Sequence, residues 1–183
     1  MALLILGLFF WVFGHMAGRL IPGFRAVLGR AERPVTTVAI VLGVGLMVIG
    51  YRGWFGDFYW GRTPALAGIN NLLMLGAVYC FAASGMKTAL ARCYRHPMLT
   101  GVAIWALAHL LVNGDTPSLV LFGGLGIWAL AEMVVINRAE PDWVPPVPRK
   151  RGARMEGMAV IGTLVVYGLI AGVHGMLGYQ VFG

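Results

Sequence analysis

Charged residues are scarce in this chain of 183 residues, and acidic ones are the scarcest. Asp, Glu, Lys and Arg together make up 11% of the residues, whereas 59% are apolar. An average soluble domain carries roughly 25% charged residues, so this composition excludes a soluble globular enzyme and a disordered tail. Only two cysteines are present, which excludes a secreted disulfide scaffold. The length suits a single domain, residues 1–183, and the composition places that domain in a membrane.

Six segments free of Lys, Arg, Asp and Glu are long enough to form membrane spans. A helix needs about 20 apolar residues to cross roughly 30 Å of hydrocarbon, and in lipid its backbone polar groups must be satisfied internally. The sequence therefore predicts an all-α, polytopic bundle of six transmembrane helices. The fifth segment extends past Glu132 to Asn137, and the fourth, which we expect to begin at Pro97, leaves a short span. The six segments are Met1–Gly18, Pro34–Tyr51, Thr63–Met86, His96–Gly114, Thr116–Ala131 and Gly157–Gly183.

The positive residues are distributed unevenly over the loops between these segments. Of the 14 Lys and Arg residues, 12 fall in the first, third and fifth loops, and only Arg52 and Arg62 fall in the second. Cytoplasmic loops carry the excess of positive charge, so the pattern predicts that both termini face outward. The net charge of +7 then reflects membrane topology. We expect the protein to reside in a lipid bilayer and not to bind nucleic acid.

Ionisable residues inside a membrane span are the first candidates for function. His15, His109 and His174 lie within the predicted spans, His96 lies at the mouth of one, and Glu132 is the only acid within a span. Each buried imidazole needs a polar partner, and a neighbouring helix could supply it without any cofactor. Zinc is disfavoured because the thiols and acids lie elsewhere. Haem is favoured over zinc, since it requires one or two axial imidazoles, an apolar slot and cations for its propionates.

The depth of each histidine limits which pair could bind one iron. At about 1.5 Å per residue, His15, His109 and His174 lie roughly 9, 18 and 26 Å above the inner boundary of the hydrocarbon. His109 is therefore common to both pairings, and its partner is left open between the other two. Arg19 shares a helix face with His15, so its guanidinium could meet a haem propionate.

The stretch from Lys87 to Trp128 resembles the core of the NnrU family of bacterial membrane proteins, named for a gene near denitrification and nitric-oxide genes. The matching elements are RHPML, WALAHLL, NGD and SLVLFGG, and FGHMAGRL and AGVHGMLG near the two ends are similar to the family's first and last helices. The resemblance implies a multi-pass protein of the bacterial inner membrane. It also allows a non-catalytic accessory role in denitrification.

The same family includes the 15-cis-ζ-carotene isomerase, a membrane protein with haem b that converts a central cis double bond of a polyene to trans. The resemblance implies that His15 and His109 correspond to its haem ligands and that a lipophilic polyene could be a substrate. That enzyme carries a cysteine, proposed as an alternative ligand, where this chain has Ala106. A ligand exchange at that position is therefore not expected here.

The RHPM segment also resembles part of the isoprenylcysteine methyltransferase-like membrane enzymes, which use S-adenosylmethionine. In that alternative, Arg95 and His96 would bind an anionic group at the start of the fourth helix. The Glu- and Tyr-rich half of the methyltransferase motif is missing, so a structural role for Arg95–Pro97 is the competing interpretation. We further expect Asp115 to cap the fifth helix and Glu132 either to be paired or to snorkel to the cytoplasmic face.

Overall fold

The computed structural model of the chain describes residues 1–147 and 152–182. It is built of helices with one small antiparallel sheet. The strands are β1 (Phe58–Trp60) and β2 (Gly114–Asp115). The helices are α1 (Ala2–Leu20), α2 (Phe24–Leu28), α3 (Glu32–Arg52), α4 (Pro64–Met86), α5 (Ala89–Cys93), α6 (Pro97–Val112), α7 (Thr116–Ala139) and α8 (Gly152–Met176).

Each predicted span overlaps one of the helices α1, α3, α4, α6, α7 and α8. In the described part of the chain, five helices have the length and hydropathy needed to cross a membrane, and α6 is shorter, with 16 residues. The starts follow local rules of capping. Pro97 opens α6 as expected, and the Asp115 carboxylate accepts a hydrogen bond from the backbone N–H of Ser118, which confirms that it caps α7. An all-α membrane bundle is therefore confirmed.

The long helices pack in the order α3, α1, α7, α6, α4, α8, and α1 against α3 is the most extensive contact. Small residues allow that close approach. A Cβ atom added to Gly43 would lie 2.9 Å from both the Gly7 carbonyl oxygen and the Trp11 backbone nitrogen. Gly45, by contrast, faces open space. Close packing through small residues is a common means of helix association in lipid.

The loops meet at the two ends of the bundle as the alternation of helices requires. β1 pairs with β2, so the second and fourth loops join at one end. At the other end Arg19, Arg95 and Glu140 form ion pairs, so the first, third and fifth loops meet there. Part of the positive charge used to predict orientation, namely Arg149, Lys150 and Arg151, lies outside the described residues.

The last helix differs from the prediction at both of its ends. It begins at Gly152 and ends at Met176, whereas the charge-free segment ran from Gly157 to Gly183, the last of which lies outside the described residues. Gly178 has a φ of 89°, a left-handed conformation that favours glycine, and the Tyr179 N–H returns to the His174 carbonyl oxygen. A run without charged residues does not reveal this turn, so the prediction placed the end of the helix too far along the chain.

Candidate functional site

The three histidines within the long helices share one side-chain arrangement. In each, Nδ1 lies within hydrogen-bond distance of the backbone carbonyl oxygen four residues earlier: 2.9 Å from His15 to Trp11, 2.9 Å from His109 to Trp105, and 2.8 Å from His174 to Ile170. A carbonyl oxygen only accepts, so Nδ1 carries the proton and donates it. The lone pair of each neutral imidazole is therefore on Nε2.

Aromatic rings hold His15 and His109 in place. The His15 ring lies 4.4 Å from Trp11 and 4.8 Å from Trp128, measured between ring centroids. The His109 ring lies 4.9 Å from Trp105 and is stacked at 4.7 Å on Phe122. Both histidines therefore sit beside a tryptophan of their own helix and an aromatic residue of α7. The spacing Trp–x–x–x–His occurs at both places, and this repeat in the sequence could have identified the tryptophans as part of the site.

His174 belongs to α8, which packs on α4, and α4 in turn packs on α6. His15 belongs to α1, which packs on α7, and α7 also packs on α6. In the packing order, α6, the helix of His109, therefore stands between α1 and α8, the helices of His15 and His174. Ala106, one turn before His109, is buried against Gly126 of α7, with 3.2 Å between the Ala106 Cβ and a Cβ built on that glycine.

Arg19 is engaged in an ion cluster at the basic end of the bundle. Its guanidinium lies 3.2 Å from the Glu132 carboxylate and 3.1 Å from the Glu140 carboxylate, and Arg95 lies 3.7 Å from the other oxygen of Glu140. Glu132 is therefore paired, as expected, although its Oε2 is buried without a hydrogen-bond partner. Sequence reasoning did not identify Glu140, because its two arginine partners are distant along the chain.

Arg95 and His96, the residues of the methyltransferase alternative, both face internal partners. His96 is buried, and its Nε2 lies 2.8 Å from the Asn137 side-chain oxygen on α7. Arg95 pairs with Glu140. These contacts tie the start of α6 to the end of α7, which agrees with the structural interpretation of Arg95–Pro97.

A cavity of about 520 Å³ opens beside the two tryptophans. Its size falls within the roughly 300–1,000 Å³ range of small-molecule and cofactor sites. The walls are apolar and aromatic, and the histidine rings stand behind Trp11 and Trp105 instead of lining it. The residues that line the cavity are Trp11, Val44, Met47, Val48, Tyr51, Arg52, Trp105, Leu121, Leu125, Leu177 and Tyr179.

The donor set suits a cofactor that needs few protein ligands. Within residues 1–147 and 152–182, no group of three or more His, Cys, Asp or Glu side chains is arranged to hold a bare metal ion. Haem iron takes four of its ligands from the porphyrin and needs only one or two imidazoles, so three histidines with Nε2 free for coordination fit this group.

A family model described as NnrU protein matches residues 3–181. No curated protein and no solved structure matches the chain.

Proposed function

The chain belongs to the NnrU family, and we propose that it is a multi-pass membrane protein that binds haem b between its helices. His109 would hold the haem iron together with His15 or His174. The protein crosses the bacterial inner membrane six times, with both termini outside. When bound, haem b supplies one-electron chemistry or, as in the carotene isomerase, assists the isomerisation of a lipophilic polyene.

The observation that carries this proposal is the shared hydrogen bond from Nδ1 to a backbone carbonyl oxygen. Histidines that bind metals almost always donate their other ring N–H to a carbonyl or carboxylate oxygen, which sets the tautomer and the ring orientation. His15, His109 and His174 all meet this condition. A single histidine with this hydrogen bond would only be satisfying its own ring N–H. Three histidines with the same hydrogen bond in one apolar bundle favour iron coordination.

The residues around the histidines would serve the cofactor in ways that do not involve coordination. The rings of Trp128 and Phe122 fix the two imidazoles from the same helix, α7. These two aromatic rings are buried, and the exclusion of water around the imidazoles strengthens electrostatic effects there. Arg19 is held by two carboxylates, so a propionate there would compete with Glu132 and Glu140.

The first experiment is the visible spectrum of the purified protein in mild detergent, oxidised and then reduced with dithionite. We expect a Soret band that shifts on reduction and a pyridine hemochrome of the b type. His109→Ala should abolish the spectrum. One of His15→Ala and His174→Ala should also abolish it, and that variant identifies the second ligand.

His96→Gln is the matched control, because it replaces the fourth histidine, whose Nε2 already contacts Asn137. It should keep the spectrum. A protein that stays colourless after growth with a haem precursor would refute the proposal. So would a His109→Ala variant that folds and retains the full spectrum.

A further inference from the structure

The cavity beside Trp11 and Trp105 has one cationic group at its rim and otherwise apolar walls. Arg52, the last residue of α3, lines it. Among the described residues Arg52 forms no ion pair, whereas Arg19, Arg25 and Arg95 each contact a carboxylate. A guanidinium without an acidic partner, next to an apolar chamber, is complementary to an anionic group attached to a hydrocarbon body.

The cavity lies next to α3, the last helix at one side of the packing order. Val44 and Val48 line it from α3, and 42% and 51% of their surfaces are exposed. On the opposite wall, Leu177 and Tyr179 of the C-terminal segment close the space. That segment is held by Arg62, which donates to the carbonyl oxygens of Gln180 and Val181. An apolar chain could therefore enter from the bilayer while its head stays at the end of α3.

The volume limits the size of the occupant. At about 520 Å³, the cavity falls within the range of small-molecule sites, which suits an occupant with a single hydrocarbon chain.

We propose that this cavity binds a single-chain amphiphile with a carboxylate head, which pairs with Arg52 while its tail lies against Trp11 and Trp105. The site does not rest on haem binding, because the histidine rings do not line it. A haem propionate is the other source of a carboxylate, and the experiment separates the two.

The test uses the quenching of tryptophan fluorescence by a stearic acid brominated in mid-chain, with its methyl ester as the uncharged probe. Haem-free protein is held in nanodiscs of zwitterionic lipid. Charge-assisted hydrogen bonds contribute enough for about a tenfold difference in affinity. We therefore expect the acid to quench at about tenfold lower concentration than the ester, and Arg52→Gln to remove this preference.

Arg30→Gln is the matched control, because Arg30 is exposed and does not line the cavity. It should keep the preference for the acid. Equal quenching by acid and ester in the unmodified protein would overturn the proposal in favour of a neutral occupant. An equal loss in both arginine variants would reduce the effect to nonspecific attraction and would also overturn it.

A second measurement separates the two sources of carboxylate. Retention of radiolabelled palmitate is compared before and after haem loading. Retention that persists with haem supports a separate amphiphile site. Loss of palmitate on haem loading, together with weaker haem retention in Arg52→Gln, would show that Arg52 pairs with a haem propionate. That result would overturn the proposal of an amphiphile site. If the protein does not bind haem, the quenching experiment still tests the amphiphile site, because it uses haem-free protein.

Discussion

Replacing Gly43 by alanine should separate α1 from α3. The added Cβ would lie 2.9 Å from the Gly7 carbonyl oxygen and 2.9 Å from the Trp11 backbone nitrogen. Both are backbone atoms of α1, so a rotamer change cannot relieve the contact and the helices must move apart. Overpacking of this kind costs about 1–3 kcal/mol.

Gly45→Ala provides the reference for this measurement. Gly45 is two residues further along the same helix, and a Cβ added there meets nothing within 4 Å. Both substitutions gain the same intrinsic helix propensity, up to about 1 kcal/mol. The difference between the two variants therefore isolates the steric contact between the helices.

The assay is thermal unfolding of the two variants in mild detergent. For a protein of this size, 1 kcal/mol shifts Tm by about 2–4 °C, so Gly43→Ala should unfold roughly 2–12 °C below Gly45→Ala. Movement of the Trp11 backbone should also disturb the packing of its indole on His15. Equal Tm values for the two variants would refute the assigned packing of α1 on α3.

Three further predictions concern other parts of the molecule. Asp115→Ala should lower the free energy of unfolding by about 1 kcal/mol in the same thermal assay, since it removes the cap of α7. Asp115→Asn should retain most of the stability that the cap contributes. Arg19→Gln should destabilise the protein by about 3 kcal/mol, because it leaves the buried Glu132 carboxylate without a cation. Adding Glu132→Gln should restore most of the lost stability. A double variant no more stable than Arg19→Gln alone would contradict the pairing. An impermeant maleimide should label Cys93, which is exposed, in inverted membrane vesicles but not in intact cells. The buried Cys80 should stay unlabelled and serves as the internal reference. Labelling in intact cells would reverse the predicted orientation.

The helices could be predicted because their signals are local. A segment without charges in lipid must satisfy its own backbone, and this alone specifies a helix. Pro97 and Asp115 mark helix starts for reasons that involve only the next turn. The repeated Trp–x–x–x–His spacing is equally local, since a histidine Nδ1 reaches the carbonyl oxygen one turn earlier on its own helix. These features follow from the sequence by itself.

The relations between distant segments were decided only by the tertiary structure. Arg19 meets Glu140 across 121 residues, and nothing in the sequence around either residue indicates the other. The cavity exists because α1, α3, α6 and α7 leave space that the C-terminal segment covers, and that segment turns back at Gly178. Periodicity and charge determine which residues face away from water. They do not determine which helices become neighbours, because apolar surfaces are nearly interchangeable in lipid and close packing selects among them.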